Sequence, residues 1–301
     1  MPITLSPISR RRFLAGAAAA GAGLLLRPIA FGEVSPAVDP RRLVLLSDCH
    51  IDADVTVVDR AANMADQLSQ IVKQIVALTP RPACVIVNGD CAHQTGTPED
   101  YGTLVSLLKP LREAGMPIHL SLGNHDDRAN FWKAIPDADQ PAKAVADRQI
   151  SVIESPGVDW YLLDTLKPGT APGELGEVQL AWLAKALDAK PDKPAVVLTH
   201  HQPDLTAKPK GLIDTKALLD VLSPRKQVKV QIYGHTHDWK YAKQTDGLHW
   251  LNLPPTGYVF AKGRPAGWTD VNLTDTGLTA QLICLDEQHK QHREKHDLVW
   301  R

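Results

Sequence analysis

Short apolar runs alternate with longer amphipathic ones along most of the chain. "RLVLLSD" (residues 42–48) reads as a buried strand, while "DRAANMADQLSQIVKQIVALT" (59–79) carries Met64, Leu68, Ile71, Ile75 and Leu78 at the three-to-four spacing of a helix. "ACVIVNGD" (83–90) is a second strand, "PEDYGTLVSLLKPLREAG" (98–115) a helix opened by Pro98 and closed by Gly115, and "MPIHLSLGN" (116–124) a third strand. This βαβαβ order predicts a parallel sheet covered by helices. The second half predicts strands over "QISVIES" and "VDWYLLDT", a helix over "GEVQLAWLAKALDA", a strand over "PAVVLTH", a short helix over "DTKALLDVL" and a strand over "VKVQIYGH". Mostly β segments follow: "WKYAKQ", "LHWLNL", "WTDVNLT" and "LTAQLICL". With no internal repeat and no flexible linker, the simplest division is one domain over residues 38–285 followed by a charged tail over 286–301.

Five of the apolar runs end on groups that can bind a cation: Asp48 with His50, Asp90, Asn124 with His125, His200 with His201, and His235 with His237. In an open α/β sheet, ligands bind outside the carboxyl ends of the strands, so these five segments converge on one edge. Carboxylate, amide and imidazole donors without a thiolate suit Mn, Fe or Zn in a reactive site better than a cysteine-rich structural zinc.

Asp48-Cys49-His50, Gly89-Asp90, Gly123-Asn124-His125-Asp126, His200 and Gly234-His235-Thr236-His237 resemble, in that order, the motif set of the calcineurin-like metallophosphoesterases, over residues 43 to about 240. "GNHDD" and "THHQP" look most like the bacterial cyclic-nucleotide phosphodiesterase branch. The resemblance implies a four-layer α/β/β/α sandwich of two mixed sheets with a dinuclear metal site at strand C-terminal ends. It also implies that Asp90 bridges two divalent ions, with Asp48, His50 and His237 on the first and Asn124, His200 and His235 on the second. Two cations about 3.5–4 Å apart can share a hydroxide for in-line attack on phosphorus and hold the phosphoryl oxygens. His125, beside the ligand Asn124, then faces the leaving-group oxygen as general acid or as a cation.

Each motif alone also has a plain reading. Asp48 could end a strand in a side-chain turn, and "NGD" at 88–90 is an ordinary turn signal. His235 and His237 are harder to dismiss, because alternate residues of an extended segment share a face. His93 stands where the purple acid phosphatases of this superfamily carry a metal-binding tyrosine, which argues against a tyrosinate-bound ferric site. His201 reads as loop support, Asp127 as a helix cap, Arg128 as an exposed helix-face residue, and Tyr101, Trp132 and Trp160 as core or groove aromatics. His289, His292 and His296 read as one solvated face of a terminal helix.

Before the first strand, Arg10-Arg11-Arg12-Phe13-Leu14 and the Ala/Gly/Leu run behind it resemble a twin-arginine export signal over residues 1–37, cleaved between Ala30 and Ala37. That run is too short and glycine-rich for a comfortable membrane span. The expectation is a periplasmic or secreted protein, with the twin-arginine export machinery as a partner and no stable span in the mature form. Of the four cysteines, Cys84 and Cys284 read as buried apolar residues, and Cys49 and Cys91 as near neighbours for which a disulfide is not the favoured reading. A formal net charge of −1 provides no field to gather nucleic acid or anionic lipid, so phosphate chemistry must come from a local site. The expected function is hydrolysis of a small phosphodiester, including 2′,3′- or 3′,5′-cyclic nucleotides. A phosphate-scavenging phosphomonoesterase is the alternative enzyme. A metal-binding recognition protein on a dead phosphoesterase fold is the non-enzyme alternative, opposed by the joint presence of His125 and all seven ligand positions.

Overall fold

The computed structural model describes residues 37–135 and 144–301; the expected export signal, Ala37 apart, lies outside them. In chain order the first half runs β1 (Val38–Leu46), β2 (Val58–Asp59), β3 (Ala62–Asn63), α1 (Met64–Val76), β4 (Arg81–Asn88), α2 (Pro98–Glu113), β5 (Ile118–Ser121) and α3 (Arg128–Ala134). The second runs β6 (Ser151–Ser155), β7 (Val158–Leu162), α4 (Glu177–Asp188), β8 (Ala195–Leu198), α5 (Thr215–Leu222), β9 (Val228–Tyr233), β10 (Lys240–Lys243), β11 (His249–Asn252), β12 (Gly267–Thr274), β13 (Gly277–Cys284) and β14 (Lys295–Val299).

Successive side chains of a strand point to opposite faces, so a strand that is apolar throughout must be covered on both. Leu43 and Leu45 of β1, with Cys84 and Ile86 of β4, pack against Trp160, Leu162, Val196, Leu198, Val230 and Ile232 in a core between two sheets. Val44, Leu46, Val85 and Val87 face the other way, onto Leu68, Ile71 and Ile75 of α1 and Leu104 and Leu108 of α2. Tyr161, Ala195 and Val197 form a third core with Leu183 and Leu187 of α4 and Leu218 and Leu222 of α5. Three cores between four layers make the expected α/β/β/α sandwich.

Both sheets are mixed. The first has the order β14-β13-β12-β1-β4-β5, parallel across β1, β4 and β5 and antiparallel elsewhere; the second has β10-β11-β9-β8-β7-β6, with parallel pairs from β11 to β7. β1, β4 and β5 therefore deliver their carboxyl ends to one edge, as do β8 and β9 of the other sheet.

Two sequence expectations change. The first helix starts at Met64, capped by the Asn63 side chain, which accepts the Asp66 N–H. Residues 58–63 before it form a two-residue hairpin, with Val58 opposite Asn63 and Asp59 opposite Ala62. The charged segment 286–301 is neither a tail nor a terminal helix. His289 and His292 lie in turns, and His296 lies on β14, which extends the first sheet antiparallel to β13. Charge dominates β14, yet Leu298 on it is fully buried opposite Leu278, and backbone pairing, this inward leucine and the half-buried Trp300 beside the strand dock it on the core between the sheets. The four cysteines are unpaired and buried.

If β14 belongs to the core, Leu298→Ala should cost about 2–5 kcal/mol in urea unfolding, the usual range for a buried leucine. Lys295→Ala, on the exposed face of the same strand, should stay within about 0.5 kcal/mol.

Candidate metal centre

Asp48, His50, Asp90 and His237 bring one donor atom each to within 4.8 Å of one another, as do His200, His201 and His235. Asp48 and His50 follow β1, Asp90 follows β4, His200 follows β8, and His235 and His237 follow β9. Strand ends from both sheets thus meet at one point, with Asn124 and His125 just beyond β5.

The backbone is strained where these residues sit. Asp48 (φ 54°), His50 (50°), Asp90 (45°), His235 (64°) and His237 (49°) all occupy the left-handed region. For residues with a side chain this costs roughly 1–2 kcal/mol each, and such strain persists where the surroundings enforce it, often at functional sites. Close approach explains two glycines of the motifs. A Cβ at Gly123 would strike the Asp90 carboxylate and backbone N, and one at Gly234 would strike Ser47 Oγ and Asp48 Oδ2.

Hydrogen bonds fix the imidazoles, His235 through Nε2, which faces the Lys210 carbonyl at 3.2 Å, and three others through Nδ1. His200 Nδ1 faces the Asn88 carbonyl at 2.9 Å, His237 Nδ1 the Tyr258 carbonyl at 2.6 Å, and His50 Nδ1 the His93 carbonyl at 3.4 Å. A carbonyl only accepts, so each Nδ1 carries a proton; Nε2 of a neutral ring is then bare, and only a doubly protonated ring can donate from it. His50 Nε2 and His237 Nε2 then lie 3.0 Å apart, lone pair against lone pair. His200 Nε2 lies 3.2 Å from Asp90 Oδ2, and His237 Nε2 3.3 Å from Asp48 Oδ1. Asn124 Oδ1 and His200 Nε2 are buried without a hydrogen-bond partner among the described residues. A buried concentration of acceptors facing acceptors is the reverse of ordinary core chemistry, where polar groups are paired. A metal cation at this place, or in part a proton on His200, relieves these contacts, and carboxylate, amide and imidazole donors suit a divalent ion of borderline hardness.

Charge shifts tell the same story. Burial disfavours a charged Asp48, but His237 and His200 outweigh it and hold the carboxyl well below its usual range. Asp90 is lowered likewise: burial opposes the charge, and His200 and His50 overcome it. Burial pushes His50 down to about 3 and His235 to about 4. Burial also opposes charge on His200, yet the Asp90 and Asp48 carboxylates win and lift it to about 10. Two carboxylates this buried demand positive charge. His200 takes it as a proton unless a metal cation supplies it.

His201 has both ring nitrogens engaged, Nδ1 with Thr165 Oγ1 at 2.7 Å and Nε2 with the Ala171 carbonyl at 2.9 Å, so it braces its loop as the sequence suggests. His93 sits between Asp52 (3.0 Å) and Asp59 (3.4 Å). Asp127 caps α3 by accepting the Asn130 N–H at 2.8 Å. Arg128 is not an exposed helix-face residue. The buried Asp164 grips its Nε at 2.6 Å and Nη2 at 2.9 Å, and also accepts the backbone N–H groups of Gln149 and Leu166.

His125 donates its backbone N–H to Asp90 Oδ1 at 2.9 Å, and its ring meets His50 edge-on, centroids 4.8 Å apart. It lines a cavity of about 600 Å³ with Gln94, Thr95, Arg128, Leu166 and Thr170. Two aspartates outside the expected site hold it in shape. One is Asp164; the other is the buried Asp126, which accepts the backbone N–H groups of Gly123 (2.8 Å), Ala92 (3.0 Å) and Cys91 (3.2 Å) and ties the Asp90 loop to the Asn124 loop. Burial, with Asp90 nearby, lifts the Asp126 carboxyl to about 7. Asp126 stands in the motif itself, but two of its three backbone partners, Ala92 and Cys91, lie 34 and 35 positions away, beyond any local pattern.

The family pattern described as calcineurin-like phosphoesterase matches residues 41–239. The 3′,5′-cyclic adenosine monophosphate phosphodiesterase CpdA of Pseudomonas aeruginosa is 30% identical over 234 residues, covering 76% of this chain and 81% of the relative. A glycerophosphodiester phosphodiesterase, GpdQ of Enterobacter lignolyticus, is 32% identical over 135 residues, 45% of this chain and 47% of its own. Among solved structures, a dimetal phosphatase from Danio rerio superposes with a TM-score of 0.69 at 16% identity, over 87% of this chain and all of its own, a likeness of fold.

Asp90 faces His50 and His200 at once, so Asp90→Ala should lose at least one equivalent of metal by elemental analysis, with nearly all turnover. Two tightly held ions in that variant would place the shared carboxylate elsewhere.

Proposed function

The chain belongs to the calcineurin-like phosphoesterase family, metal-dependent hydrolases of phosphoesters, and from that premise we propose that it is an exported, dinuclear phosphodiesterase acting on small diesters, with cyclic nucleotides as the leading substrates. The seven ligands in this reading are Asp48, His50, Asp90 and His237 around one position and Asn124, His200 and His235, with Asp90 again, around the second. When bound, two divalent ions of Mn, Fe or Zn supply neutralisation of the phosphoryl oxygens and acidify water.

The observation that carries the diester preference is the cavity beside His125. Its cation, Arg128, is paired through Nε and Nη2 with the buried Asp164 carboxylate, which offsets its charge and so weakens its attraction for the second charge of a monoester dianion. Gln94 and Thr95, exposed at its wall, offer neutral hydrogen-bonding groups suited to a leaving alcohol. His125 stands between the cluster and this cavity, and His125 Nδ1 is buried without a partner among the described residues. In the proposed reaction His125 gives a proton to the departing oxygen, while the Asp90 carboxylate fixes its backbone. The cyclic-nucleotide and glycerophosphodiester activities named for two relatives support the same choice.

Export through the twin-arginine pathway to the periplasm or beyond rests on Arg10, Arg11, Arg12, Phe13 and Leu14. Among the described residues no helix is long and apolar enough to cross a membrane.

The test of the chemistry is hydrolysis of a bis-aryl phosphate and of the matching mono-aryl ester with added Mn²⁺. The diester should be the faster substrate, and the reverse order would favour a phosphomonoesterase. His125→Ala should keep its metal and lose roughly 10²–10⁴ in kcat, with the smallest loss on aryl esters whose phenols leave unaided. Metal loss in step with activity, or equal impairment on all leaving groups, would remove His125 from the acid's role. For export, Arg10→Lys with Arg11→Lys keeps the charge and should trap active precursor in the cytoplasm; normal export of that double variant would rule the pathway out.

A further inference from the structure

Beside the ligand cluster, on the side of His50 and His237, stand two aromatic rings and a guanidinium with no part in the chemistry above. Tyr258 and Phe260 lie on the loop between β11 and β12. Tyr258 stacks on His50, centroids 4.7 Å apart and planes 25° from parallel. Phe260 stacks on His237 at 4.0 Å and 18°, yet remains 49% exposed. It is the one aromatic ring among the exposed large hydrophobic side chains of the described residues. The Arg60 guanidinium carbon lies 5.4 Å from the Tyr258 centroid and 5.2 Å from that of Phe260.

The placement of Arg60 is costly. Arg60 and Ala61 are the two turn residues between β2 and β3, at φ 48° and 65°, a hairpin conformation in which glycine and asparagine are the usual choice. Asp59, one residue before, faces His93 Nε2 at 3.4 Å and tacks the hairpin to the site. A strained turn thus holds a guanidinium over two rings at the rim of a metal centre. Strain that the surroundings maintain is found at ligand clamps.

We infer that Arg60 and Phe260 form a stacking shelf for the planar base of a nucleotide substrate, selecting nucleotide esters over alkyl phosphate esters. The inference rests on the reading that the neighbouring cluster holds the phosphoryl group. A guanidinium plane and an exposed phenyl ring both accept a heteroaromatic ring by π-stacking and cation–π attraction. The contact tolerates different bases because every base has a π-face. A chain of ring contacts joins the acid to the shelf, from His125 to His50 (4.8 Å), His50 to Tyr258 (4.7 Å) and Tyr258 to Phe260 (6.0 Å). A nucleoside attached to phosphorus at the cluster can therefore reach the shelf, whereas a methyl or glyceryl group has no ring to lay on it.

Phosphinates test this without turnover, since they hold no P–O ester bond and carry the single charge of a diester. Equilibrium binding of 5′-deoxyadenosine 5′-methylene(methyl)phosphinate and of dimethylphosphinate is compared on the metal-loaded protein. The wild type should prefer the nucleoside phosphinate roughly 10- to 100-fold, the range expected for one stacked base. Phe260→Leu and Arg60→Gln should each reduce that preference about fivefold or more, with dimethylphosphinate binding, metal content and thermal midpoint unchanged. Equal wild-type binding of the two phosphinates, or an undiminished preference in both variants, overturns the shelf while leaving the phosphoryl site intact. Failure of both phosphinates to bind the loaded protein overturns the phosphoryl site and the shelf with it.

Discussion

The structure turns on a buried set of acceptors that cannot satisfy one another. Asp48 and Asp90 are fully or almost fully buried; His50 and His237 face each other Nε2 to Nε2 at 3.0 Å, and His200 meets Asp90 at 3.2 Å, where it takes up a proton unless another cation is present. In a core of this kind each uncompensated group costs several kcal/mol. The surrounding architecture makes the arrangement durable. Parallel strands from two sheets end at the cluster, three apolar cores keep those ends from relaxing, and carbonyl acceptors hold Nδ1 of His200 and His237 so that Nε2 points inward. The site is thus prepared for cations before any arrive, the preorganisation that electrostatic catalysis requires.

The strand ends are rigid for identifiable reasons. Asp126 ties three backbone N–H groups from two loops to one carboxylate, and Asp164 clasps Arg128 while accepting two further N–H groups. These two aspartates do for the loops what the ladder does for the strands. A carboxylate with several donors substitutes for regular secondary structure where the chain must leave the sheet. Rigidity has a second benefit, since displacements of even an ångström at a reacting centre are expensive.

Much of this was legible in the sequence. Each apolar run that forms a central strand is visible in the alternation of short apolar and longer amphipathic segments, and the ligand-capable residues behind them stand out because polar groups at successive strand ends serve no packing purpose. What escaped the reading was non-local or conformational. The left-handed backbone at Asp48, His50, Asp90, His235 and His237 has no local signal, because tertiary contacts impose it against intrinsic preference. The β2–β3 hairpin was absorbed into the first helix because its turn residues, Arg60 and Ala61, carry none of the glycine or asparagine that marks such turns. Segment 286–301 looked like a solvated tail because its single buried apolar anchor, Leu298, is outnumbered by charges. Arg128 looked exposed because its partner, Asp164, is 36 positions away.

The four cysteines lead to one further consequence. All are free and buried, and burial raises the thiols of Cys49, Cys84, Cys91 and Cys284 above their ordinary range. Reactivity belongs to the thiolate and to accessible sulfur, and the folded protein presents neither. An alkylating reagent can therefore act only on molecules that have opened. Cys49 and Cys91 belong to the core that adjoins the Asp48 and Asp90 loops, and Cys84 and Cys284 to the core between the sheets. The chain carries its own reporters of opening, one pair beside the reactive centre and one between the layers, so mass-resolved labelling can tell which part of the protein breathes first.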